Sequence, residues 1–509
     1  MRKAILSTLL FLMPITAAAQ EKSSTPADLE QLRVQLLETR SQLRETREEL
    51  TASARAIEEL RRDMDALRKQ VQTGGAATSA SGAEPVPATG EPTVAAANKD
   101  PEFLAAKVEE LHQVKVESAS KYPVKISGLI LFNAFRNTGN VDITDLPNLA
   151  FGSNPGSTNA NVGATLRQTL LGVEVRGPHV FGAESSGDIS IDFAGGSPTT
   201  DFGVTNGILR MRTANVHLNW SDTTLTIGQD TPFISPLSPT SYANVAEPAL
   251  SWAGNLWVWT PQIVVEHRIH TGEYSNIVLQ GGIMDPLTEQ EPPFQGRQPT
   301  AGEASGIPTF AGRIAYDRLN ADFLPLEIGF AGTRGEQNYN MANILPVAVS
   351  GITNATNSSW TVNSDIKIPI LNKAELSGEW YYGQAVGGLG GGIWNSTVVS
   401  STTAPYFHPL RSTGGWGQLK ITPIPRFEIN AAMGQDENIS QDAHFFVDSQ
   451  SISSGFPPLI KNNARFVNVI YKPNSTLILA AEIRHLFTLP FSGPGQHANI
   501  LNLAVGVKF

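Results

Sequence analysis

HANILNLAVGVKF, His497–Phe509, decides the fold, because it alternates without a break. Leu501, Leu503, Val505, Val507 and Phe509 share one parity; Asn502, Ala504, Gly506 and Lys508 share the other. Successive side chains of an extended strand point to opposite faces, so this strand has one apolar wall and one small or polar wall. Two folds accept it. In a soluble sandwich the apolar wall meets a second sheet; in a membrane barrel it meets lipid while the other wall lines a wet lumen. Recurrence of the pattern, and the lengths of the links between strands, separate the two.

The pattern recurs from Val124 to the end. Ile189, Ile191 and Phe193 alternate with Asp188, Ser190 and Asp192; Leu326, Ile328 and Phe330 with Glu327 and Gly329; Phe427, Ile429 and Ala431 with Arg426, Glu428 and Asn430. About sixteen such segments can be counted, an even number as single-chain outer-membrane barrels require. Brief links at Ser221-Asp222, 270–273, 319–322, 371–373, 423–425 and 472–475 take turns with long ones at 138–164, 231–254, 285–308, 334–358, 384–411 and 435–462. A soluble sandwich has no reason to gather its long loops at one end, so the fold class is an all-β transmembrane barrel over 123–509. Aromatic residues fit two interfacial girdles, Trp220, Tyr316, Tyr471 and Phe509 on the turn side and Trp360, Trp380 and Trp416 on the loop side.

Composition agrees. The chain of 509 residues has no cysteine, which excludes a disulfide framework and thiolate metal sites, and its formal charge of −10 argues against a nucleic-acid partner. After the first twenty residues no apolar run approaches the roughly 20 residues of a spanning helix, so any membrane crossing must be made by a closed barrel.

The N-terminal quarter is of another kind. Arg2-Lys3, an apolar core over 4–15 and Ala17-Ala18-Ala19 form a cleavable signal peptide, 1–19. Within 20–72, Leu29, Leu36, Leu43, Leu50, Ile57, Met64 and Val71 hold every a position of a heptad repeat, while the d positions are apolar at the ends and polar at Thr39, Thr46 and Ser53. Arginines at e and mostly acids or amides at g favour a parallel α-helical coiled coil, a rod ~65 Å long. An Ala-, Gly-, Pro- and Ser-rich linker follows over 73–100, then a short helix or connector over 101–122 opened by Asp100-Pro101-Glu102.

No catalytic constellation emerges and no cofactor is implied, so the chain reads as a non-enzyme. His267 and His270 lie on a strand and turn, without the partners a metal site needs. The candidate functional residues line the barrel. Parity points Arg268, Arg313, Lys367, Lys373, Arg426 and Arg484 inward, together with Asp188, Asp192, Glu266, Asp317, Glu327, Asp365, Glu375, Glu379, Glu428 and Glu482. Opposed charges across a narrow eyelet set up a transverse field that orients polar solutes; alternatively these residues pair along the wall and keep it wet. Arg210 and Arg212 break the parity of Ala214, Val216 and Leu218. Either a β-bulge near Thr213 returns them to the lumen, or they contact lipid headgroups or a neighbouring subunit. The third long loop, 231–254, holds four prolines, no lysine or arginine, and Glu247 as its sole acid, a composition suited to a stiff loop folded into the barrel.

ILRMRTANVHLNW (Ile208–Trp220), TLTIGQDTPFISPLSP (Thr224–Pro239) and GNLWVWTPQI (Gly254–Ile263) carry a resemblance to the DcaP-like trimeric outer-membrane porins with an N-terminal coiled coil, related to phosphate-selective porins. These segments look like that family's fourth strand, its fifth strand with the constriction loop, and its sixth strand. The resemblance implies a homotrimer in outer-membrane lipid, a rod in the periplasm in reach of peptidoglycan, and passive diffusion of small hydrophilic solutes such as dicarboxylate anions. A structural anchor, its rod tethering membrane to cell wall, is the alternative.

Overall fold

A computed structural model describes residues 122–152, 159–196, 207–289, 299–320, 323–340, 354–371, 373–400, 407–439, 449–451 and 459–509. The expected signal peptide, coiled coil and linker, and the connector short of Tyr122, lie outside the described residues.

Sixteen antiparallel strands make one closed barrel. The first eight are Val124–Thr138, a second strand in two pieces (Ala160–Thr165 and Leu170–Val180), Ala183–Asp192, Arg210–Asn219, Thr223–Asp230, Thr260–His270, Ser275–Met284 and Thr309–Asn320. The rest are Phe323–Asn340, Asn354–Leu371, Ala374–Gln384, Arg411–Ile424, Phe427–Asn438, Leu459–Tyr471, Leu477–Pro490 and Gln496–Lys508. The last strand pairs back onto the first, Phe132 opposite Val505 and Ala134 opposite Leu503, so the sheet has no free edge. Phe509 completes the seam: its amide and carbonyl exchange hydrogen bonds with Gly128 at 3.2 and 3.0 Å. Gly128 is required there, since a Cβ would stand 2.5 Å from the Phe509 ring.

The alternation has the expected sense. On the last strand Ala498, Ile500, Asn502 and Ala504 are buried inside, and Leu501, Leu503, Val505 and Val507 are exposed on the outer wall. Phe330, Ile314, Val467 and Ile483 continue that outer apolar surface around the ring. Inside, Asn133, Asn215, Asn430, Asn468 and Gln418 are buried amides.

Links at one end are short. At the two-residue link Phe181-Gly182 both residues have positive φ (51° and 80°), the geometry whose twist matches a hairpin. Links at the other end are long, with one exception: 491–495, between the last two strands, is only a brief turn. Two inward assignments fail at the short turns. Lys373 is exposed and donates to the Pro423 carbonyl, and Arg426, at φ 70°, is exposed and donates to the Pro473 carbonyl. Parity runs only along a strand; at a turn it lapses, and both cations cap the rim rather than line the lumen. Trp416 also departs from expectation, since it is buried inside and donates to Glu379 instead of joining an outer girdle.

Because the outer wall faces hydrocarbon, Phe330→Arg should cost about 2–4 kcal/mol, as arginine does near a bilayer midplane. Urea unfolding from lipid vesicles measures this; an unchanged midpoint would mean that water faces that wall.

Candidate functional site: the loop-filled lumen

The third long loop, 231–259, turns into the barrel. A proline-rich loop makes few internal backbone bonds, so the wall must satisfy it. Ser235 and the Leu237 amide donate to Glu379 at 2.6 and 2.7 Å, the Thr240 amide to Gln418 at 2.6 Å, and Ser241 to Glu482 at 2.6 Å. Asn133 and Asn468 donate to the carbonyls of Tyr242 and Thr240, both at 2.8 Å. Gln168 donates to the Ala243 carbonyl and accepts from the Val245 amide. These partners sit on five different strands and at the break in the second, so the loop spans the lumen.

Beyond this polar seam the loop is apolar. Ala249, Leu250 and Ala253 pack against Trp416, Ala432, Phe466, Leu486 and Ile500 of the wall. The approach is close enough to need glycine on both sides. A Cβ at Gly254 (φ 95°) would lie 2.2 Å from the Gly415 nitrogen, and one at Gly434 would lie 2.2 Å from the Ala253 carbonyl oxygen. Trp252 stacks on Trp394 of the 385–410 loop at 5.2 Å, which locks the two loops together.

Arg210 and Arg212 reach the lumen through a bulge: Ser190 pairs with Thr213 but Ile191 pairs with Met211, leaving Arg212 as the extra residue. Arg210 grips both oxygens of Asp192 and donates to the Ala246 carbonyl at 2.6 Å; Arg212 donates to the Val245 carbonyl at 2.7 Å. Both lie over the Trp259 ring, 5.0 and 4.7 Å from its centroid. They hold the loop's descent.

The other cations pair along the wall. Arg268 meets Glu266 at 2.8 Å and Asp317 at 2.9 Å, and Asn276 donates to Asp317 as well. Arg313, almost fully buried, grips both oxygens of Asp365 and meets Glu327 at 2.6 Å. Arg484 folds back onto Glu482 at 2.6 Å and lies over the Phe466 ring. His217 meets Asp188 at 2.7 Å. His267 and His270 assemble no metal site, and among the described residues no cluster of three or more His, Cys, Asp or Glu could hold one.

No protein-family model and no curated protein matches the sequence. Among solved structures, the outer membrane channel DcaP of Acinetobacter baumannii is similar at 16% identity over 77% of this chain and 99% of its own, with a TM-score of 0.53. The fold is that of the DcaP channel. An anion-selective porin from Comamonas acidovorans matches at 11% identity over 76% of this chain and 100% of its own, with a TM-score of 0.48.

Within this DcaP-like barrel several important side chains escaped the sequence reading. The second strand breaks between Thr165 and Leu170, and consecutive Arg167 and Gln168 are both buried there. Arg167 grips Asp145 of the first long loop, and Gln168 carries the third. A polar pair inside an alternating segment was the available signal. Asp142 and Asn148, also on the first loop, were missed too. Asn148 donates to Glu247 at 2.8 Å, and Asp142 accepts from the amides of Asn148 and Leu149.

Glu247 and Asp142 keep some accessible surface, but the surrounding loops and wall exclude bulk water. That desolvation pushes Glu247 up to about 7, with the Asp142 charge adding to it, and Asp142 up to about 6. Both values lie above the ordinary 4.5 and 3.8, so docking of the first loop on the third favours the neutral acids. The contribution is fully present below about pH 4 and is lost as pH rises through 6 to 7. Loop docking should therefore loosen above pH 7, giving noisier current, and Glu247→Gln should abolish the upper part of that dependence. Identical pH profiles in single-channel records of the two proteins would contradict it.

Proposed function

We propose that the protein is an outer-membrane porin, a water-filled channel for passive diffusion of small hydrophilic solutes, anions among them, with no catalytic activity. One observation carries this reading: the closed barrel is apolar outside and polar inside, and a long loop folded onto its inner wall narrows it. As the family resemblance implies, the subunits form a homotrimer and the coiled coil projects into the periplasm, in reach of peptidoglycan.

Charge selectivity in this reading is weak. On the sixth to tenth strands Glu266, Asp317, Glu327 and Asp365 stand against Arg268, Arg313 and Lys367, and all three cations are paired, Lys367 with Glu375 of the next strand at 3.9 Å. A strong anion path needs cations free to meet the solute, and here carboxylates and loop carbonyls already hold them.

A second reading, the structural anchor, is favoured by the dry packing of Leu250 and Ala253 against Trp416 and Phe466. Planar bilayers separate the two. The porin reading predicts steady ohmic single-channel current from purified protein, and the anchor predicts none. Arg313→Ala frees Asp365 and Glu327, so the reversal potential under a salt gradient should shift toward cations, by roughly twofold or more in permeability ratio. An unchanged reversal potential would remove Arg313 from the permeation path.

A further inference from the structure

We infer that the outer wall carries a binding site for a phosphorylated lipid, formed where an apolar groove ends at Arg465 and His485. The groove, of about 650 Å³, runs across the outward face of the eleventh to fifteenth strands. Among the outward residues that line it two are small, Gly417 and Ala431, set between Leu376, Leu419, Met433, Val467 and Ile483. Val467 and Ile483, 53% and 67% exposed, form its flank. They pair with each other across neighbouring strands, as Arg465 and His485 do one step nearer the loop end.

Arg465 is the cation at the groove's end; Arg136 and Arg334 are also exposed at outward positions, but on the first and ninth strands. It shares the outward parity of Val467 and is exposed, and among the described residues it has no hydrogen-bond or ion-pair partner. Every inward arginine described above has a carboxylate partner, Arg212 the most distant at 3.7 Å from Asp192. His485 donates through Nδ1 to the Asn499 side-chain oxygen at 2.8 Å and its Nε2 lies 3.3 Å from His497 Nδ1, so both its ring nitrogens are engaged and the free donors at the groove's end are those of Arg465. The outward-parity acid on these strands, Glu437, is already neutralised by Lys461 at 2.8 Å. A guanidinium at the border of hydrocarbon needs an anion in a fixed geometry, and a phosphate accepts two parallel N–H bonds from it. Charge complementarity with an apolar groove leading away from that cation commits the site to one occupant, a lipid whose phosphate sits at Arg465 and whose chain lies over Gly417 and Ala431. The site would fix such lipids in register around the barrel.

The inference rests on the membrane-barrel reading, so each sample is first checked for ohmic current in planar bilayers; a conducting barrel that binds no lipid counts against the site alone. Full-length protein in detergent is titrated with lipid A and with the same lipid stripped of phosphate, and retention is read by native mass spectrometry. Wild type should hold the phosphorylated lipid at least tenfold more tightly. Arg465→Gln should remove that preference while leaving the dephosphorylated lipid unaffected. Gly417→Leu should weaken both lipids, and it tests the groove without disturbing the fold, because a Cβ there meets nothing nearer than the Ser377 carbonyl at 4.0 Å. Equal retention of the two lipids by wild type, or undiminished preference in Arg465→Gln, would overturn the proposal. So would a change of oligomeric mass in Arg465→Gln with lipid retention intact, since a second copy of the chain would then occupy the groove.

Discussion

The backbone hydrogen bonds between the first and last strands are the constraint on which everything else depends. Hydrocarbon offers no partner for an N–H or a C=O, so a sheet in lipid must close on itself. Here Leu129–Thr138 pairs with Asn499–Lys508, and the terminal residue joins through Gly128. Once the ring is shut the two walls have fixed environments, and period-two patterning becomes a division between lipid and lumen. The apolar sides of the strands need no core of their own.

The inner wall then has a second duty. A polar lining of water and charged pairs would suffice to keep a channel wet, but much of this lining holds a loop instead. Glu379, Glu482, Gln168, Gln418, Asn133 and Asn468 each bond to the 231–259 segment, and Arg210 and Arg212 bond to its carbonyls. Buried polar groups left without partners cost about 1–3 kcal/mol each, so the wall and the loop constrain one another. The cations that a selectivity argument would want facing solute are thereby taken up as structural ties. The same constraint explains the glycines at 254, 414 and 434, where the loop backbone touches the wall backbone.

Much of this was legible because alternation is local. Strand count, the lipid-facing side chains and the sites of the short turns follow from residues two apart, and the bulge at Arg212 showed itself as a break in parity. Lys373 and Arg426 were misplaced because parity was carried one residue past a strand's end. Trp416 was assigned by its height on the strand rather than by its parity with Gln418, which places it inside. The loop's tethers were not legible at all. Gln168 and Gln418 look like any other inward polar residues, and their partners lie 75 and 178 positions away in the chain. Nothing short-range distinguishes an amide that holds a loop from one that faces water.

Gly434→Val gives the most direct test of the central claim, that the lumen is narrowed by a loop seated against its wall. The added side chain meets the Ala253 carbonyl and leaves the outer wall untouched. Single-channel conductance in planar bilayers should rise relative to wild type, with the folded barrel intact by its resistance to denaturation in detergent. Unchanged conductance in a correctly folded variant would contradict the account.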